Sequence, residues 1–368
     1  MSTRKDKFTK KDKQYMSLAL SLANARHGFT GENPSVGCVI VKNDKIISIG
    51  QTSFNGRPHA EFNAIKNCTE NLADSKMYVT LEPCNHYGVT SPCTSLIIKS
   101  KINEVFYSVT DIDKRVRAKT YKILRLNKIN VKKGLLKNRI MEFYIPYFFN
   151  RKNKLPFITG RIAISKNNLI YNINNKKITN SHSDKFTHFL RYKNDSIMIS
   201  YKTLNKDNPK LNCRLKNMRK FSPKRIILDN KLDTINKSYL FKTANKSNTI
   251  IFYNEADNSK ILKFKKNKIT LIKSKINKYK KFDIKTIVKK LYNLGCRNIL
   301  IEGGNDLTKS FLSKKLFNQF YLFKSPKKLS KLVEHKEFYG LNILKQNYKN
   351  KLKINSNFGK DTITLYKN

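Results

Sequence analysis

His59 and Glu61 stand two residues apart in Pro58-His59-Ala60-Glu61, and Cys84 and Cys93 each follow a proline, in Glu82-Pro83-Cys84 and Ser91-Pro92-Cys93. One imidazole and two thiolates are donors that suit a tetrahedral zinc ion, and three protein donors leave a fourth corner for water, whose pKa then falls towards ~7. A fourth side-chain ligand would close that corner. Glu61 is therefore expected to act as the proton shuttle, taking a proton from the water and passing it to a ring nitrogen and a departing amine. Proline favours the first turn of a helix. Both cysteines are thus expected at helix starts, where backbone N–H groups and the positive dipole end favour thiolate.

The order H-x-E, P-C, C is the grammar of zinc-dependent nucleobase deaminases. Here the two cysteines enclose eight residues, NHYGVTSP, rather than two. Three other readings compete. A closed structural zinc site would need a fourth donor, for which His86 is the near candidate. A nucleoside or tRNA deaminase with an accessory domain would carry the short P-C-x-x-C spacing. A basic nucleic-acid-binding protein with a structural zinc would show salt-sensitive RNA binding. Cys38, Cys68, Cys213 and Cys296 lack such partners and read as small buried residues.

These groups need a scaffold. Met16, Ala19, Leu20 and Ala23 recur at helical spacing over residues 12–27 and stop at Gly28. VGCVIV and KIISIG around Asn43-Asp44 read as a β-hairpin. HAEFNAIKNC, CTSLIIKS and RAKTYKILRL read as helices, and MYVTLEP and VFYSVTD as strands. This alternation predicts an α/β layered domain over residues 1–148. The polar FFNRKNKLP predicts a linker over 149–156. Residues 157–368 alternate again, with strands at PFITGRIAIS, SIMIS, KRIILD, TIIFYN, KITLIK, NILIEGG and DTITLYKN. Helices are expected over 183–193, 283–294 and 305–317. Arg191 and Arg214, taken alone, read as solvated, and His182 and His188 as exposed helix residues.

The 368 residues carry 76 basic and 25 acidic side chains, a formal charge of +51. Lys is spread along the whole chain with abundant Asn and Ile, which reads as compositional drift and not as a localised nucleic-acid footprint. Such a surface still attracts phosphorylated small molecules. The first 13 residues are charged and lack a secretory apolar stretch, and no run of about 18 apolar residues occurs. A reducing cytoplasm is the expected location.

PHAE, EPCNHYGVTSPC and the upstream ENPSVGCVIV together resemble the deaminase half of the bifunctional riboflavin-biosynthesis deaminase/reductases, and the second half resembles their reductase. The resemblance spans nearly the whole chain. It implies an α/β chain with a cytidine-deaminase-like three-layer domain followed by a dihydrofolate-reductase-like domain. It implies deamination of 2,5-diamino-6-ribosylamino-4(3H)-pyrimidinone 5′-phosphate, then NADPH reduction of the ribosyl group to ribityl. By the same resemblance His59, Cys84 and Cys93 hold one Zn2+ and Glu61 is catalytic. Asn33 and the backbone around Val36 and Gly37 line the base pocket. Ala163, Lys177, Thr203, Asp207, Asn230 and Gly304 would face NADPH, with Gly303 and Gly304 letting its phosphates approach a helix N-terminus. Asn175, Arg191, Leu211, Arg214 and Glu302 would face substrate, the arginines its phosphate. The chain departs from the family's Ser-Leu-Asp-Gly after the first reductase strand with Lys166-Asn167-Asn168, and Lys177 stands where the family often has Trp. The expected partner is a small phosphorylated pyrimidine, with no nucleic acid and no membrane, and homo-oligomerisation left open.

Overall fold

The computed structural model describes residues 8–170, 177–245, 248–329 and 337–368. The chain divides between Lys154 and Leu155 into two compact units. The first runs α1 (Lys10–Arg26), β1 (Gly37–Lys42), β2 (Lys45–Gln51), α2 (Ala60–Lys66), β3 (Lys76–Leu81), α3 (Cys93–Lys99), β4 (Glu104–Val109), α4 (Lys119–Leu126), β5 (Asn130–Lys133) and α5 (Lys137–Asn153). Its sheet has the order β2-β1-β3-β4-β5. β1 is antiparallel to β2 and β3, whereas β3, β4 and β5 are parallel.

Local chemistry accounts for the ends of these elements. Thr9 and Asp12 form a reciprocal capping box at the start of α1, an arrangement that contributes about 1 kcal/mol. The hairpin turns through Asn43 and Asp44, both with positive φ (49° and 60°), the conformation a two-residue turn demands and that Asn and Asp tolerate. A Cβ on Gly37 would sit 1.9 Å from the Ala19 carbonyl oxygen of α1, and one on Gly50 would sit 2.2 Å from the Ala60 carbonyl oxygen of α2. Gly50 pairs with Cys38, so it shares a face with Cys38 and not with Gly37. Helices α1 and α2 therefore cover opposite faces. Tyr144 of α5 reaches Thr80 on the α1 side, and α2 packs with α3 on the other. The result is the three-layer order expected.

Helix α5 corrects the sequence reading. The segment expected as a linker over 149–156 is helical through Asn153, and only the last three of its residues lie beyond the helix. Pro146 inside α5 and the polar run after Phe149 hid it, because both mimic a helix stop.

The second unit runs β6 (Phe157–Ile164), α6 (Ser181–Lys193), β7 (Ser196–Ser200), α7 (Tyr201–Asp207), β8 (Lys224–Leu228), α8 (Tyr239–Lys242), β9 (Thr249–Tyr253), α9 (Asn258–Lys266), β10 (Thr270–Lys273), α10 (Ile284–Asn293), β11 (Asn298–Ile301), α11 (Asn305–Ser313), β12 (Gln319–Lys324), α12 (Leu341–Asn347), β13 (Asn350–Lys353) and β14 (Thr362–Lys367). Among the described residues its sheet has the order β10-β9-β8-β7-β11-β6-β12-β14-β13. The strands from β10 to β12 are parallel, and β14 turns antiparallel against β12 and β13. The helix expected over 305–317 stops at Ser313. After β6 the chain turns at Asn168, whose φ of 63° is left-handed, a conformation Asn tolerates better than most side chains. No helix among the described residues is long and apolar enough to cross a membrane.

Candidate active sites

His59 caps the N-terminus of α2, which places Glu61 in that helix's first turn. Cys93 is the first residue of α3. Cys84 lies in the loop after β3, not at a helix start as expected. It draws on the same helix end from outside: the Cys93 backbone N–H donates to Cys84 Sγ at 3.3 Å. The loop is fixed by Glu82, whose buried carboxylate accepts the backbone N–H groups of Asp111 (3.3 Å), Ala118 (3.1 Å) and Thr120 (3.3 Å). Thr120 Oγ1 also donates to the Pro83 carbonyl at 2.7 Å.

Folding brings three donors to one point. His59 Nδ1 lies 3.6 Å from Cys84 Sγ and 3.5 Å from Cys93 Sγ, and all three donor atoms fall within 4.8 Å of one another. A tetrahedral zinc with bonds of about 2.3 Å to sulfur and about 2.0 Å to nitrogen requires nitrogen and sulfur about 3.5 Å apart. The donor set fits zinc in kind and in spacing. His86 is not part of this cluster, so the closed four-ligand alternative has no support among the described residues. A hydrogen bond from the Cys93 thiol, with further help from His59, holds the Cys84 thiol well below its ordinary range against the opposing effect of burial. Burial pushes the Glu61 carboxyl up to about 7, with the His59 charge pulling the other way. A carboxyl poised there can both take and give a proton at neutral pH.

The cavity beside this cluster has a volume of 250 Å³ and is lined by Asn33, Val36, His59, Glu61 and Cys84. Asn33 is held by its side-chain amide donating to the Gly56 carbonyl at 3.2 Å. Gly37, expected at the base pocket, does not line it and instead admits the backbone of α1. Sequence reasoning missed other residues that line it, among them Arg57, Asp111, Arg115, Tyr147 and Arg151. The last two belong to α5, spaced one helical turn apart.

The second unit holds a cavity of 610 Å³ lined by Ala163, Lys177, Thr203, Asp207, Gly304, Arg191, Leu211, Arg214 and Glu302. These nine residues come from the ends of β6, β7 and β11 and from the helices and loops that follow, as ligand sites in parallel sheets do. A Cβ on Gly304 would touch Thr203 Oγ1 at 3.5 Å and meet no other neighbour within 4 Å, so the start of α11 stands beside Thr203 and is otherwise open. Asn230 is not among the lining residues. It follows β8, one strand further out than β7, and its carbonyl accepts from the Asn254 and Glu255 N–H groups. Asn175 lies outside the described residues.

Two expectations about charge change here. Arg191 is buried and does not offer its guanidinium to solvent: Nε and Nη2 meet Glu302, and Nη1 donates to the Asn212 carbonyl at 3.1 Å. His188, expected to be exposed, is buried in the cavity wall. Its Nδ1 accepts the Arg214 backbone N–H at 3.3 Å. Burial, then the charges of Arg191 and Arg214, push His188 down to about 4, which keeps it neutral. Lys177 lines the cavity with its amine on Asp184. Arg161, two residues before Ala163 and so on the same face of β6, also lines it and had no distinguishing signal beyond that alternation.

Residues 9–109 match the cytidine and deoxycytidylate deaminase zinc-binding region, and residues 171–364 match the RibD C-terminal domain. The chain is 32% identical over 358 residues to the riboflavin biosynthesis protein RibD of Aquifex aeolicus, covering 97% of this chain and 98% of that one. It is 32% identical over 366 residues to the RibD of Actinobacillus pleuropneumoniae, covering 97% and 96%. Among solved structures it is similar to a diaminohydroxyphosphoribosylaminopyrimidine deaminase/5-amino-6-(5-phosphoribosylamino)uracil reductase from Thermotoga maritima. That match has 26% identity and a TM-score of 0.81, and covers 97% of this chain and 98% of that one. A RibD structure from Acinetobacter baumannii shares the fold, with a TM-score of 0.81, 24% identity and coverage of 97% and 99%.

Proposed function

The chain belongs to the RibD family of riboflavin-biosynthesis proteins, bifunctional deaminase/reductases, and from that membership we propose which of its residues perform each step. We assign hydrolytic deamination of the diaminopyrimidine ribotide to the first unit and reduction of the ribosyl group to the second. The observation that carries the first assignment is the triangle of His59 Nδ1, Cys84 Sγ and Cys93 Sγ beside a buried Glu61.

His59, Cys84 and Cys93 are the residues to hold zinc, which when bound supplies the Lewis acidity that makes water nucleophilic near neutral pH. Glu61 accepts the proton that water gives up and delivers it to the ring nitrogen next to the amine-bearing carbon. It then carries the proton of the newly added hydroxyl to the amine, so that the C–N bond breaks, ammonia leaves and a carbonyl remains. Its raised pKa suits both roles, because neither protonation state is strongly favoured at pH 7. Asn33 offers an amide at the same cavity for the base edge. The six free cysteines fit a reducing cytoplasm, which we propose as the location.

In the second unit the open start of α11 at Gly304, beside Thr203, suits a dinucleotide's phosphates. NADPH, when bound, supplies the two electrons of the reduction. Ala163, Lys177, Thr203, Asp207 and Gly304 would surround it. Leu211, Arg214 and Glu302 would meet the phosphoribosyl group. Leu211 is buried with a φ of 51°, a left-handed conformation held in place by its surroundings. Arg214 is exposed at the cavity and is the arginine for the phosphate, while Arg191 holds Glu302.

The test supplies the diaminopyrimidine ribotide to zinc-loaded protein with and without NADPH, following ammonia and NADPH absorbance separately. Ammonia should appear without NADPH and cease after chelation, while NADPH oxidation on the deaminated ribotide should survive chelation. Chelation-resistant ammonia release would overturn the zinc assignment.

A further inference from the structure

The deaminase substrate carries a phosphate dianion as well as a base, and the cavity must receive both ends. This inference rests on the reading of the first cavity as the deaminase site. The base end belongs beside Glu61 and the three donors, which leaves the phosphate to the other walls. Three arginines line the cavity: Arg57, Arg115 and Arg151.

One of them is already engaged with a carboxylate and another with a tyrosine. Arg115 grips Asp113 at two points, Nε to Oδ1 at 3.0 Å and Nη2 to Oδ2 at 2.6 Å. Arg151 stands over the Tyr147 ring, with its carbon Cζ 5.6 Å from the centroid, in the field of Asp113 and Asp111. Arg57 has no carboxylate partner among the described residues. Its Nη1 donates to Thr90 Oγ1 at 2.9 Å, and its Nη2 lies 3.6 Å from where a Cβ on Gly88 would be. It thus reaches from the residue before Pro58 across to the eight-residue insert between Cys84 and Cys93.

That insert, NHYGVTSP, contains no Lys or Arg in a chain that has 76 of them. The wall it forms has no lysine or arginine of its own, and Arg57 lays its guanidinium over it. An arginine with five N–H donors and one of them used retains a free edge for two phosphate oxygens. We propose that Arg57 recognises the 5′-phosphate of the deaminase substrate, with Thr90 and Gly88 fixing the guanidinium for that contact.

The experiment measures ammonia release by the full-length, zinc-loaded protein on the ribotide and on its dephosphorylated riboside, for wild type, Arg57→Ala and Arg57→Lys. A charge-assisted contact contributes about 1.5–3 kcal/mol, or roughly 10- to 100-fold. Arg57→Ala should raise KM for the ribotide by about that factor, spare kcat, and leave the riboside unchanged. Arg57→Lys should restore part of the loss, since it keeps the charge without the fork. Inorganic phosphate should inhibit the wild type competitively and the alanine variant more weakly. Equal losses on ribotide and riboside, or an unchanged ribotide KM, would overturn the assignment. Zinc content and NADPH oxidation monitor folding of the variants. If the wild type released no ammonia from either compound, the deaminase reading itself would fall. Calorimetric binding would then decide Arg57 separately: the alanine variant must weaken the ribotide and spare the riboside, and any other pattern rejects the role.

Discussion

Arg191 and Glu302 clasp each other at two points in the wall of the larger cavity, Nε to Oε1 at 2.7 Å and Nη2 to Oε2 at 2.8 Å. Both side chains are about one-tenth exposed. Burial alone would push the Glu302 carboxyl up, but the Arg191 charge and its hydrogen bonds outweigh it and hold the group below its ordinary range. Glu302 is therefore held as a carboxylate in the cavity wall, and in the role proposed for it would offer ribose hydroxyls a pure hydrogen-bond acceptor. With every nitrogen committed, Arg191 is placed to act on the proposed site through Glu302 and not by direct contact.

Removing that charge should show in the pH profile. In Arg191→Met the burial of Glu302 is opposed only by the weaker pull of Arg161 and His188, so its carboxyl should titrate higher by about 1–3 pH units, the usual effect of losing an adjacent arginine. The acid limb of NADPH oxidation should move up in pH by that amount, with ammonia release unaffected. The sign for stability is the same. A depressed carboxyl contributes stability above its unfolded pKa and loses it as pH falls through the folded value. At pH 7 the variant should lose about 3–5 kcal/mol in denaturant titration, the cost of leaving one buried charge alone. Arg191→Lys should shift the limb less, since it keeps one of the two contacts. An unmoved limb in Arg191→Met would remove Arg191 from its positioning role.

Glu61→Gln separates the metal from the proton. The amide keeps the shape and removes the group that exchanges protons, while His59, Cys84 and Cys93 remain. The variant should retain a full equivalent of zinc and lose about 10²- to 10⁴-fold in ammonia release. The acid limb set by a carboxyl near pH 7, which must be ionised to take the water's proton, should vanish from what activity remains. Turnover near wild type with full zinc would mean that another group moves the proton.

How much of this was readable beforehand depended on whether local sequence carried the signal. The donor set was legible because zinc fixes residue types, and H-x-E on a helix start fixes their phase. Most strands of both sheets were legible because their runs are apolar and short. Cys84 was misplaced because Pro-Cys pairs look alike in sequence, yet only Cys93 begins a helix. Helix α5 escaped because Pro146 and its polar end resemble a stop, and with it went Tyr147 and Arg151 in the cavity wall. β13, with four exposed residues, has no burial pattern to read. Arg57 and His188 could not be found at all from sequence, since their roles depend on which distant loops they meet, the 85–92 insert and the Arg214 backbone.

His188 offers a direct test of that last point. It sits in the cavity wall with its Nδ1 accepting from the Arg214 N–H, and its depressed pKa of about 4 keeps it uncharged at working pH. A histidine that served as a catalytic base would leave a limb in the rate profile between pH 5 and 8; this one should leave none. It should instead mark stability. Its folded pKa lies below the unfolded value near 6.5, so the stability present above pH 6.5 is lost as pH falls towards 4, where the buried ring must charge beside two arginines. His188→Gln keeps an acceptor for the Arg214 N–H and removes the titration. Urea denaturation at pH 7 and pH 5 should show a smaller acid loss in the variant than in the wild type, with the NADPH oxidation profile between pH 5 and 8 unchanged in shape. A limb that disappears with His188 would make it a proton donor or acceptor in the reduction, and an equal acid loss in both proteins would mean that the ring is hydrated and charges freely.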